Sequence, residues 1–79
     1  MISMEFVEYN AIRYIVKDNS LDLGLLEIKD INDLKGLQDL EHLKQLQLSK
    51  NEISELKGLE TLKDLKILNL AENHISEIK

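Results

Sequence analysis

The sequence predicts an α/β solenoid: short stacked units, each a strand with a turn-rich return, behind an N-terminal β-hairpin cap. Three observations predict it. Leu43, Leu46, Leu48, Asn51, Ile53 and Leu56 recur at a spacing of 22 as Leu65, Leu68, Leu70, Asn73, Ile75 and Ile78. Apolar residues occupy every third position from Leu34 to Leu46, and again from Ile53 to Leu68. Within each unit the period then switches to two: Leu46 and Leu48 alternate with Gln45, Gln47 and Ser49, and Leu68 and Leu70 with Ile67, Asn69 and Ala71.

The spacing of three excludes a helix. An α-helix turns about 100° per residue, so each step of three drifts by about 60° and the stripe winds round the helix instead of facing one side. It is not a coiled-coil seam either, whose period is about 3.5. A chain bending round a central core does keep such residues pointing inward. Alternation by two means a short strand with one face in and one face out. Stacking the units aligns these strands into a parallel sheet on the concave side, with the Gly58-to-Leu65 portion returning on the convex side as a 3₁₀ turn or short helix.

Residues 1–20 depart from the repeat and form the expected cap. Ile12, Tyr14 and Val16 alternate with Arg13, Ile15 and Lys17, and Phe6-Val7-Glu8-Tyr9 makes a second strand, with Asn10-Ala11 at the bend. Asn accepts positive φ there and Ala does so poorly. Core packing is the expected use of Phe6, Tyr9 and Tyr14, the only aromatic residues. Asp18-Asn19-Ser20 is the next turn signal. Repeats follow over 21–79: a degenerate first unit (21–42), a regular unit (43–64) and an incomplete one (65–79). In the first unit two registers compete. A unit of 25 residues equates Leu21 and Leu23 with Leu46 and Leu48 and puts Leu26 in the place of Asn51, whereas a strict 22 equates Leu26 with Leu48 and Lys29 with Asn51. The longer unit keeps more apolar matches and is preferred. Both lose the Asn, as suits a capping unit with no predecessor. Gly36 and Gly58 each follow Lys and precede Leu in equivalent turns, which makes them backbone positions and not parts of a phosphate loop.

The pattern Leu-x-x-Leu-x-Leu-x-x-Asn-x-Ile-x-x-Leu resembles a leucine-rich repeat. Its Asn-x-Ile-x-x-Leu ending with a following Gly-Leu is similar to the 22-residue, SDS22-like subclass. The resemblance covers 21–79 and is strongest over 34–79. It implies a right-handed solenoid whose concave sheet binds a protein partner, and an inward Asn whose amide bonds backbone groups of the turn and of the neighbouring unit. Asn51 and Asn73 thus have two readings, a ligand contact or a ladder rung, and the spacing favours the rung. The positions implied for protein binding are the outward strand residues Gln45, Gln47, Ser49, Ile67, Asn69 and Ala71. They offer a polar, shallow surface with little to anchor a partner.

Composition bounds the function classes. The chain has 79 residues, enough for one small domain, with 10 Lys+Arg against 15 Asp+Glu and a net charge of -5. Nucleic-acid binding needs an excess of basic groups to release counterions, so no nucleic-acid partner is expected. No apolar run approaches the ~18 residues of a membrane span, and no membrane partner is expected. The absence of Cys removes disulfides and thiolate metal sites and suits a cytoplasmic location. His42 and His74 occupy non-equivalent places in their repeats, without a His partner at helical spacing, and the serines lack a nucleophile-elbow context. No cofactor, metal site or enzymatic activity is expected.

The last unit stops at Ile78-Lys79, where the earlier copy continues as Lys57-Gly58-Leu59. The chain therefore reads as a structural or self-assembling repeat element, or as a fragment of a longer solenoid. Leu68, Leu70, Ile75 and Ile78 are the expected self-association edge, most simply in a homodimer.

Overall fold

A computed structural model describes residues 5–75. Ile78, assigned to the association edge from sequence, lies outside the described residues. Among the described residues five strands fall into two sheets: β1 (Phe6–Tyr9) and β2 (Ile12–Ile15) pair antiparallel, while β3 (Ser20–Asp22), β4 (Gln45–Gln47) and β5 (Ile67–Asn69) form a parallel sheet in chain order.

The hairpin turns at Asn10 and Ala11, both at positive φ (52° and 65°), as a two-residue primed turn requires. A second tight turn at Asp18-Asn19, also at positive φ, joins the hairpin to the parallel sheet. There Lys17 and Ser20 exchange backbone bonds of 2.9 and 2.8 Å. The outer edge of β1 is held as well, because Glu8 and Lys35 exchange bonds of 2.9 and 3.0 Å.

Register settles the first unit. Leu21 pairs with Leu46, and Leu46 with Leu68, so the first step is 25 residues and the second 22. The core follows the spacing of three: Ile28, Ile31, Leu34, Leu37, Leu40 and Leu43 are all buried, joined by Leu21, Leu23, Leu46, Leu48, Ile53, Leu62 and Val7. Two 3₁₀ turns, Ile31–Asp33 and Leu37–Asp39, carry this run. The first is capped by Asp30, whose carboxylate accepts the Asn32 N–H at 2.9 Å. Over Gly58 to Leu65 the return is a chain of turns, with bonds from Leu62 N–H to the Leu59 carbonyl and from Leu65 N–H to the Leu62 carbonyl, both 3.2 Å. Gly58, at φ 90°, lies so close to the first unit that a Cβ would sit 2.8 Å from Asn32 Oδ1.

One expectation needs correction, and one position departs from its counterparts. Phe6 is not in the core: it pairs with Ile15 on the hairpin face opposite Val7 and Tyr14, and the Arg13 guanidinium lies 4.8 Å from its ring centre. Strand alternation allows only one face inward, and Val7 takes it. Leu68, the counterpart of buried Leu46, is 36% exposed, because among the described residues no strand lies beyond β5.

Candidate functional site

Asn51 stitches the bends together. It is buried, and its side-chain oxygen accepts the N–H groups of Leu26 and Ile28, each at 3.0 Å. Its Nδ2 donates to the carbonyls of Leu23 (3.0 Å), Leu48 (2.9 Å) and Ser49 (3.2 Å). Asn73 repeats this one unit on, accepting from Ile53 N–H (3.0 Å) and donating to Leu48, Leu70 and Ala71. Each rung satisfies backbone groups of its own bend and of the preceding unit. The Asn51 amide is thereby fully committed to the fold.

The outward face of the parallel sheet is built from two registered rows. Ser20, Gln45 and Ile67 form one, and Asp22, Gln47 and Asn69 the other. In the second row every side chain binds its own backbone two residues on: Asp22 Oδ1 accepts Gly24 N–H (3.0 Å), Gln47 Oε1 accepts Ser49 N–H (3.1 Å) and Asn69 Oδ1 accepts Ala71 N–H (3.0 Å). The oxygens of Gln47 and Asn69 are thereby held as strand-end clips. The first row makes no such bonds. Gln45 is exposed and Ile67 is 55% exposed, so the free contact surface lies here.

A shallow concavity of about 300 Å³ spans β3, β4 and the end of the hairpin, lined by Ile15, Lys17, Ser20, Leu21, Asp22, Gln45 and Gln47. Ile15 is 44% exposed. Sequence reasoning had Gln45 and Gln47 but missed Ile15, Lys17, Ser20 and Asp22. The 25-residue register carried that signal, since it aligns Ser20 with Gln45 and Asp22 with Gln47. Ser49 is half-buried and Ala71 exposed at the strand ends, where their carbonyls accept the N–H groups of Leu25 and Lys50.

Of the residues expected at the self-association edge, Leu68, Leu70 and Ile75 lie among the described residues. Leu70 and Ile75 are half-buried against the core and Leu68 is exposed.

Ionisable groups are mostly solvated. His42 Nδ1 lies 3.4 Å from Asp64 on the exposed return side, and Lys57 is paired with Glu55 at 2.9 Å, which raises its pKa. Burial, then the carboxylates of Asp33, Glu27 and Glu52, push the Tyr9 phenol upward. Among the described residues no group of three or more His, Asp and Glu is placed to hold a metal ion, and no helix is long and apolar enough to cross a membrane.

A family model described as Leucine Rich repeats (2 copies) matches residues 41–79, the part of the chain that carries β4, β5 and both Asn rungs. The match supports the leucine-rich-repeat family, whose repeats generally mediate protein–protein interaction and are typically non-enzymatic. No curated protein and no solved structure shows a significant match to the chain.

Proposed function

We propose, starting from the leucine-rich-repeat match, that the chain is a protein-interaction module of the 22-residue, SDS22-like kind. In this reading it is a short right-handed solenoid closed at one end by the hairpin as a cap, working in the cytoplasm. The partner lies on the concave sheet, across Gln45, Gln47, Ser49, Ile67, Asn69 and Ala71. One observation carries the assignment to that face. The row Ser20–Gln45–Ile67 is outward and unspent, with the exposed apolar side chains of Ile15 and Ile67 at its two ends. Two apolar contacts flanking polar donors suit a partner surface of mixed character, and the family's general activity supports it.

Affinity capture tests the reading, with the 79-residue chain as bait in a native extract. Gln45→Arg with Ile67→Arg changes only exposed groups that hold no bond to the chain, so the melting temperature stays put while the captured protein is lost. A return-side control, Lys63→Glu, keeps it. Equal capture by all three baits contradicts the concave-face assignment.

A second reading, a self-assembling repeat element, is favoured by the exposure of Leu68 at a position that is buried in the preceding units. Concentration-dependent sedimentation separates it from a lone monomer.

A further inference from the structure

We propose that the partner surface continues from the concave sheet onto the outer face of the hairpin, where Arg13, Ile15 and Lys17 take an extended partner segment carrying an apolar side chain flanked by carboxylates. This deepens the protein-interaction reading and rests on it for the concave sheet being a contact surface.

Strand pairing builds the site. Val7 and Tyr14 pair on the face that packs against the core, so alternation turns Phe6, Glu8, Arg13 and Ile15 to the other face. The Glu5 carbonyl accepts the Val16 N–H at 2.9 Å. The next pair, Phe6 with Ile15, is therefore of the non-hydrogen-bonded kind, whose side chains lie closer. These two are 37% and 44% exposed. Diagonally across the strands, the Arg13 guanidinium lies 4.8 Å from the Phe6 ring centre. They are the only Arg and the only Phe of the chain. An element that serves only to close a repeat stack should present a polar outer face. This one presents an apolar pair and a stacked Arg, whereas the concave rows hold neither Arg nor aromatic residue to anchor a partner.

Ile15 joins the two surfaces. It lines the same concavity as Lys17, Ser20 and Gln45, so the hairpin face runs into the row Ser20–Gln45–Ile67 without a break in the contact surface.

Charge selects the occupant. Although the chain carries a net charge of -5, two cations flank Ile15. Arg13 meets Glu8 only at 3.9 Å, with its side chain 68% exposed, and that distance is beyond hydrogen-bond reach. Lys17 is exposed and, among the described residues, makes no ion pair. The carboxylates nearest in sequence or register are Glu8, Asp18 in the following turn, and Asp22, which has one oxygen on Gly24 N–H. Arg13 and Lys17 stand four residues apart, roughly 13 Å along an extended chain, with Ile15 midway. Two carboxylates placed two residues either side of an apolar residue have the same spacing in an extended partner, in either direction.

The experiment is an NMR titration of the isotope-labelled 79-residue chain with the peptide acetyl-Ser-Glu-Ser-Leu-Ser-Glu-Ser-amide. It should give saturable shifts at the amides of Arg13, Ile15 and Lys17 that carry on to Gln45. The same peptide with Lys in place of Glu should bind roughly 5- to 30-fold more weakly. Ser in place of Leu should weaken binding roughly 3- to 10-fold. Ile15→Ser in the protein, a change at an exposed site, should weaken the parent peptide to the same extent at an unchanged melting temperature. Arg13→Gln should narrow the preference for Glu over Lys. Shifts confined to Gln45 and Ile67 leave the concave-face reading standing and overturn its extension onto the hairpin. Shifts confined to Arg13, Ile15 and Lys17 keep the hairpin site and overturn the concave-face assignment. Equal binding of the Glu and Lys peptides, or no saturable shift with any of the three, overturns this proposal.

Discussion

The two sides of the parallel sheet contrast. Beside β3 the chain folds back through Asp18-Asn19, ties Lys17 to Ser20, sends Val7 into the core and fastens the outer edge of β1 to Lys35. Beside β5, among the described residues, nothing pairs. Equivalent positions therefore live in different environments: Leu21 and Leu46 are buried, whereas Leu68 is exposed. Repeat proteins owe much of each unit's stability to its neighbours, and the difference shows how far a leucine's burial depends on the strand beside it.

Truncations of equivalent leucines should expose that contrast most strongly. Leu46→Ala empties a fully buried site and should cost about 2–5 kcal/mol in denaturant unfolding. Leu68→Ala, its counterpart one unit on, should cost about 1 kcal/mol. Equal losses would mean that the last unit is as well covered as the middle one.

The Asn rungs offer a second, smaller comparison. Asn51→Ala strands the N–H groups of Leu26 and Ile28 together with the Leu23 carbonyl and should cost about 2–4 kcal/mol. Asn73→Ala, at the less buried rung, should cost about 1–2 kcal/mol.

On the hairpin side the strain can be relieved. Ala11 stands at φ 65°, where a Cβ is disfavoured, so Ala11→Gly should stabilise by about 0.5–1 kcal/mol in thermal or urea unfolding.

The smallest effect is in alkali. Because the folded chain holds the Tyr9 phenol above its ordinary value of 10.0, the folded state binds more protons than the unfolded one once pH passes that value. Stability should thus be constant below it and fall as pH rises toward the folded pKa. Tyr9→Phe should flatten part of that fall.

Much of this was legible in the sequence because leucine spacing is a direct record of which side chains face inward. Periods of three and two located the returns and strands, and Asn51 was readable as a rung because a buried amide at a bend must serve backbone groups. The register of the first unit was legible through Leu21 and Leu23, despite the missing Asn. Phe6 was not, because a hairpin strand with apolar residues on both faces leaves the choice of inner face to tertiary packing. The double role of Gln47 and Asn69 was also hidden, since a side-chain oxygen reaching its own backbone leaves no mark in a hydrophobic pattern. Ile15 and Lys17 joined the candidate surface only through the hairpin's placement beside β3, a contact between segments with no shared period.

Amide hydrogen exchange on the 79-residue chain tests the difference between the two sides most directly. The N–H groups of Leu23 and Leu48 each donate to the next strand, at 2.8 and 2.9 Å, and should exchange slowly, near the limit set by global unfolding. In dilute solution the equivalent N–H of Leu70 should exchange almost as fast as in an unfolded chain, becoming protected only as concentration rises. Protection of Leu70 equal to that of Leu48 in dilute monomer would contradict the account.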